Sequence, residues 1–167
     1  MSVVRTGRRA LGTWTIGVLT TLGACGSDGD SAEQSVIFQS DTIAIVTGAD
    51  TLHMQVELAR DSTEQAYGLM DRTKLDPEHG MLFLYDTVQD TTQGFWMFRT
   101  KIPLDVAFID SAGTVVAIRS MEPCKSPDSQ WCTGYTPGHR YQSGLEVNQG
   151  YFQQHGVAVG AKVRLER

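Results

Sequence analysis

A single acid interrupts the apolar run Leu104, Val106, Ala107, Phe108 and Ile109, and that acid, Asp105, is where chemistry first suggests itself in this chain. In an extended strand Leu104, Val106 and Phe108 share one side and Asp105, Ala107 and Ile109 the other, so Asp105 falls on an apolar face. An unpaired carboxylate there is costly. It is therefore expected to have a partner among Arg72, Arg99 and Lys101, an arginine binding most strongly through two parallel hydrogen bonds. Immediately upstream, residues 94–101 (GFWMFRTK) supply Trp96 and Met97, a broad aromatic and thioether surface beside those cations. Two chemistries follow. Trp96, Met97, Arg99, Asp105 and Arg72 could wall and anchor a pocket for a sugar or a small amphipathic ligand, or Asp105, its pKa raised in such a pocket, could serve a hydrolase or transferase. A structural pair that only fixes strand register would use the same residues, with the aromatics buried and no cavity.

The remaining reactive side chains narrow the options. Cys124 and Cys132 stand in a loop rich in Pro, Ser, Asp and Gly, and in an exported protein such a pair forms a disulfide. A metal centre with His139 or a redox pair are the alternatives, but seven intervening residues match neither a C-x-x-C spacing nor a common zinc pattern. No metal or cofactor is expected. Trp131, Tyr135 and Tyr141 add aromatic area to this loop and make it a second candidate surface. His53 alternates toward solvent, His79 lies beside Gly80 in a connection, and His155 before Gly156 suits a helix C-terminus; none is expected to bind a ligand. The chain has no nucleophile-elbow serine, no His-Glu-x-x-His run and no phosphate loop.

Cys25 belongs to different chemistry. Residues 1–24 carry Arg5, Arg8 and Arg9 ahead of a mostly apolar or small segment, the organisation of a secretory signal. The segment is diluted by Thr and Gly and shorter than the roughly 20 residues of a spanning helix. Leu22-Gly23-Ala24-Cys25 resembles a bacterial lipobox, with cleavage before Cys25 and acylation of the new terminus. Acyl chains contribute about 0.8 kcal/mol per buried CH2, and several hold a soluble domain at a bilayer. Arg8-Arg9 also fits twin-arginine export. Gly26 after the cysteine, rather than an acid, resembles lipoproteins of the outer membrane, where the cell has one. Residues 25–35, small and polar, read as a flexible tether, and residues 36–167 as one globular domain.

Removing the signal takes three arginines and no acid, moving the formal net charge from −5 to −8. An acidic surface without a basic run argues against nucleic acid or anionic lipid as the partner.

The elements that must position these residues are mostly strands. Short runs at 36–39, 42–47 and 52–58 are separated by Ser40-Asp41 and Gly48-Ala49-Asp50, and the third alternates Leu52, Met54, Val56 and Leu58 with polar residues. A helix is expected from Asp61-Ser62-Thr63, with Glu64 or Gln65 completing a capping box, Ala66, Leu69 and Met70 facing the sheet and Gly68 inside it at a close approach. Arg72 follows near its end, where it can cap or pair. Strands are expected at 81–85, at 95–100 covered on both sides, and after Pro103. Residues 114–121 then complete a hairpin, followed by a strand at 145–147, a helical turn at 151–155 and a last strand at 162–165. The fold class is mainly β, α+β: a small barrel-like or curled mixed sheet with one or two short helices packed on it.

Four blocks now converge. Gly68-Leu69-Met70-Asp71-Arg72, Gly80-Met81-Leu82-Phe83, Phe95-Trp96-Met97 with Thr100, and Ile102-Pro103-Leu104-Asp105 through Phe108-Ile109-Asp110 resemble the domain of unknown function 192 family, in the family's order and across residues 52–166. The resemblance implies a compact, mainly β fold with one or two helices, frequent in exported bacterial proteins and without an established activity. Many members resemble Trp-Met-Lys-Asn-Thr where this chain has Trp96-Met97-Phe98-Arg99-Thr100. If that Lys-Asn pair touches a ligand, this chain binds something different or relies on Arg99. The function expected is that of an envelope-anchored lipoprotein that binds a small molecule or an envelope protein partner without catalysis. The alternatives are an envelope hydrolase or transferase using Asp105 and a structural or assembly module.

Overall fold

The computed structural model describes residues 36–48 and 50–166; the expected signal segment, Cys25 and the tether lie outside the described residues. Two-residue alternation organises what is described. In β2 (Thr51–Ala59) Met54, Val56 and Leu58 are buried while His53 and Gln55 are exposed, and β1 (Gln39–Val46) runs antiparallel beside it. Ser40-Asp41, expected to separate two strands, lies inside β1. That end of the strand is poorly covered, so polar side chains cost nothing there and the ladder to Val56 and Glu57 continues.

The capping box forms: the Asp61 carboxylate accepts from the Thr63 and Glu64 backbone N–H groups at 2.8 Å, and Glu64 reaches back to the Asp61 N–H. The helix it starts, α1 (Ser62–Tyr67), is shorter than expected. Gly68 is its C-cap at φ +49°, not an interior residue, and turns the chain so that Leu69 is buried while Ala66 stays exposed. The close approach expected of Gly68 is to the Phe83 ring, 3.2 Å from where a Cβ would stand.

The chain then continues through β3 (His79–Gln89), β4 (Leu104–Ile109), β5 (Val115–Met121), β6 (Tyr141–Asn148), α2 (Tyr151–Gln154) and β7 (Lys162–Leu165). The strands form one mixed sheet in the order β5-β4-β6-β3-β2-β1-β7. All pairings are antiparallel except β2 with β3, a parallel step that needs the crossover carrying α1. A mostly β fold with two short helices is what the sequence predicts, but the barrel does not form. The sheet's ends touch at an isolated bridge, Thr114 with Lys162, and a few backbone hydrogen bonds around it, such as Val163 N–H to the Gly113 carbonyl at 2.8 Å, with no ladder between β5 and β7. β7 is four residues long and its ladder is with β1, so the sheet stays open.

Every residue of β4 is buried, because both faces of the sheet there are covered. Ala107 and Ile109 join Val56, Leu145, Tyr151 and Phe152 on one face; Leu104, Val106 and Phe108 join Met81, Phe83, Phe95 and Met97 on the other. The cover of the second face corrects the strand expected at residues 95–100. That segment is a loop whose backbone is satisfied piecemeal: Phe95 exchanges hydrogen bonds of 3.1 and 2.8 Å with Tyr135, and the Met97 carbonyl accepts from Thr100 and Cys124. Arg99, at φ +58°, turns the chain out of extended geometry.

Cys124 and Cys132 are joined by a disulfide, their Cα atoms 5.4 Å apart. Arg119 donates to the Thr136 and Pro137 carbonyls and so holds the far side of the stapled loop. Reduction, or Cys132→Ser, is expected to lower stability by about 2–3 kcal/mol in chemical denaturation, the entropy of closing so short a loop.

Candidate functional site

Asp105 is buried and paired, but not by an arginine. Its Oδ1 accepts from the Ser120 hydroxyl at 2.6 Å and its Oδ2 from the Gly150 N–H at 2.8 Å. Strand alternation decides this. Asp105 points to the α2 face of β4, beside Ser120, its partner across the β4–β5 ladder, while Trp96, Met97 and Arg99 belong to the loop over the opposite face. A pocket combining Asp105 with Trp96, Met97 and an arginine is therefore excluded by the sheet itself. Asp105 lines a broad depression with Ser120, Gly150 and Phe152 and no cation. Its contacts tie β4 to β5 and to the start of α2. Asp105→Ala is expected to cost about 2–3 kcal/mol in denaturant unfolding, because the Gly150 N–H and Ser120 hydroxyl lose a charged acceptor.

The arginines pair elsewhere. Arg72 Nη2 meets both Glu57 carboxylate oxygens at 2.8 and 2.7 Å, on the wall of a cleft of about 250 Å³. Arg99 donates to Asp71, and Lys101 Nζ stands 3.5 Å from the same carboxylate. Asp71 and Arg99 both have positive φ, +61° and +58°, and the Asp71 N–H donates to the Arg99 carbonyl at 2.9 Å. Two non-glycine residues in left-handed geometry are strained. Here each is held by the other, which clasps the turn after α1 to the loop at 94–101. The hydrogen bond from Arg99 is the main reason the Asp71 carboxyl is held below its ordinary pKa.

Inside that clasp lies the group that sequence reading misses, Glu146. It sits on β6 between Met81 of β3 and Val106 of β4, on the aromatic face, and is 4% exposed. No hydrogen bond or ion pair from the described residues reaches its carboxyl, and burial alone raises its pKa from 4.5 to about 8. Among the described residues no fully enclosed polar side-chain atom lacks a partner. The Glu146 oxygens are therefore not sealed in the core; they face the cavity they line.

That cavity, of about 30 Å³, has Phe83, Phe95, Trp96, Phe98 and Thr100 around it and Gly68 and Leu69 on the α1 side. Phe95 stands edge-on to Phe83 at 4.9 Å and to Phe108 at 5.5 Å between ring centroids. This packing needs Gly144, where a Cβ would come within 2.5 Å of the Phe95 ring. Met97 is buried against the disulfide loop, while Trp96 is 46% exposed, with Phe98 6.2 Å away centroid to centroid. Of the expected ligand-binding residues, then, Trp96 lines the cavity, while Arg99 does not and instead ties its loop to Asp71. Met97 supports the loop, Arg72 faces the neighbouring cleft, and Asp105 is on the other side of the sheet. The second candidate surface exists in part: Trp131, 75% exposed, and Tyr135 line a depression of about 260 Å³ beside Cys124, whereas Tyr141 is buried in the core at the start of β6.

The fold and this cavity define a class: a mostly β domain with an open mixed sheet, one face of which holds an unpaired acid under two clasped loops. Residues 44–165 match the DUF192 family, described as uncharacterized ACR, and the chain belongs to that family. Among solved structures it is similar to a putative transcription regulator from Sinorhizobium meliloti 1021, at 29% identity and a TM-score of 0.70 over 78% of this chain and 97% of that one. It is also similar to a protein of unknown function from Novosphingobium aromaticivorans DSM 12444, at 32% identity and a TM-score of 0.66 over 76% and 86% of the two chains. A search of curated proteins gives no match.

Proposed function

We propose that this protein binds a small ligand at the aromatic cavity, with the Glu146 carboxyl as its polar anchor and Trp96 as the surface on which the rest of the ligand lies. The carrying observation is the unpaired, cavity-facing Glu146. A buried acid without a partner is unfavourable for folding, and such groups concentrate where a ligand or substrate completes their bonding. The exposed Trp96 beside a cavity argues against a purely structural role for the loop. The binding takes place outside the cytoplasm, with the domain held to a membrane, the outer one where the cell has it, by acyl chains on Cys25. The signal-like residues 1–24 and the Cys124–Cys132 disulfide support that placement. The acidic net charge supports neither nucleic acid nor an anionic lipid surface as partner.

The test is a thermal-shift screen of the full chain against envelope sugars, peptidoglycan fragments, lipids and amines, with Glu146→Gln and Trp96→Ala alongside. A ligand at a hundred times its dissociation constant stabilises by about 2.7 kcal/mol. A shift lost in both folded variants supports the reading; shifts that survive both place the ligand elsewhere and overturn it. For the anchor, labelled palmitate is expected to enter the wild-type chain and not Cys25→Ser.

A catalytic reading keeps one specific support, that Glu146 retains its proton until about pH 8, which suits acid–base chemistry near neutrality. Turnover of a hit from the screen, lost in Glu146→Gln, would favour it over binding alone.

A further inference from the structure

We infer that the ligand of the Glu146 cavity carries a primary ammonium group, which enters between the aromatic rings and ion-pairs with the Glu146 carboxylate. This deepens the binding reading above and rests on it. Three features of the cavity select the group. Its volume of about 30 Å³ admits something the size of a water or an ammonium and excludes a trimethylammonium or a sugar ring. The rings of Phe83, Phe95 and Trp96 present π-surfaces that attract cations. No Lys or Arg lines it, so a carboxylate or phosphate would meet only an acid.

The neighbouring charges leave Glu146 available. Across β3 and β6, Tyr85 and Tyr141 are phenols whose pKa values burial raises further, so they are neutral throughout the relevant range. On the covering loops, Arg99 and Lys101 are gathered at Asp71 rather than at Glu146. Gln65 and Thr100, which also line the cavity, are uncharged, and α1 adds one titratable side chain to its wall, the phenol of Tyr67. The free protein below about pH 8 holds a neutral carboxyl. Binding then reads R–NH3⁺ + Glu146–COOH → R–NH3⁺···⁻OOC–Glu146 + H⁺. The ammonium keeps its protons, no covalent bond to the ligand forms, and the carboxyl proton goes to buffer. Affinity should therefore rise with pH up to the carboxyl's own titration and fall again once the free amine loses its charge.

The experiment is titration calorimetry of the full chain with benzylamine, benzyl alcohol and benzyltrimethylammonium, in buffers of different ionisation enthalpy near neutral pH. Benzylamine is expected to bind at least about tenfold more tightly than either comparator, about 1.4 kcal/mol. About one proton should be released per site, and in Glu146→Gln both the preference and the release should vanish. Equal binding of the amine and the alcohol would leave a binding cavity but overturn the ammonium. Proton release that persists in Glu146→Gln would put the amine at another site and overturn it as well. If none of the three binds while another class from the screen acts through Glu146 and Trp96, the ammonium inference alone fails. Silence from every class removes both readings.

Discussion

Glu146→Gln is expected to make the protein more stable near neutral pH, and to flatten the dependence of its stability on pH between about 4.5 and about 8. The folded-state pKa is raised, so the folded protein holds a proton that the unfolded chain has already released. Below pH 4.5 both states are protonated and Glu146 carries no penalty. As pH rises toward 8 the unfolded state gains by ionising while the native state does not, and stability falls; above about 8 both are ionised and the loss is complete. At about 1.4 kcal/mol per pK unit the full effect is on the order of 3–5 kcal/mol. Glutamine keeps the shape without the titration. Asp71 works in the opposite sense and in a different window: its lowered pKa adds stability present above its ordinary value of 3.8 and lost as pH falls below it. Urea unfolding of both proteins at a series of pH values separates the two. Parallel curves for wild type and Glu146→Gln from pH 5 to 8 would mean that the carboxyl is not buried in the native state. A stabilising substitution at a cavity-facing acid is the pattern of a residue kept for function at the cost of stability.

The second large effect belongs to Phe95→Ala. The ring is 7% exposed and packs edge-on against two others, and removing it should cost about 3–5 kcal/mol through lost transfer energy and the space left behind. Its dependence on pH is the more telling part. Phe95 lines the Glu146 cavity, and opening that wall turns a space for about one water into one that bulk solvent fills, lowering the carboxyl's pKa toward 4.5 and relieving the penalty above it. The cost of Phe95→Ala should therefore be larger at pH 5 than at pH 8. Phe108, wholly buried and in contact with Phe95 but absent from the cavity wall, supplies the control: Phe108→Ala should destabilise comparably at both pH values. An NMR titration of the Glu146 carboxyl carbon in Phe95→Ala checks the shift directly, and an unchanged pKa there would break the link between the aromatic wall and the acid.

Both predictions turn on a residue whose importance is not readable from its surroundings in the chain. Asp105 stands out because Leu104, Val106 and Phe108 alternate cleanly around it, and it is buried, but hydrogen bonds from Ser120 and Gly150 replace the expected pairing with Arg72, Arg99 or Lys101. Its partner is not legible, because Ser120 and Gly150 come from later parts of the chain and meet it only when β5 and the start of α2 are in place. Glu146 lies between Leu145 and Val147 in the same way, but upstream of it Gln142, Ser143 and Gly144 are polar or lack a side chain, so no alternation announces a second buried face. A register shift between β3 and β6 obscures the period further.

Local patterns determined what local physics can determine. The period-two runs became β2, β4 and β5, Asp61 and Glu64 closed the capping box, and Cys124 and Cys132 paired within their short loop. The four blocks of residues sufficed for family membership. Only the tertiary structure decided that residues 95–100 are a covering loop, that the sheet stays open, and that Asp105 and Trp96 face opposite ways. It alone decided that Asp71 and Arg99 clasp two loops over Glu146. The reason is range: burial on both faces of a strand and the pairing of a charge depend on which distant segment arrives to cover them, and a strand's own sequence records its alternation but not its cover.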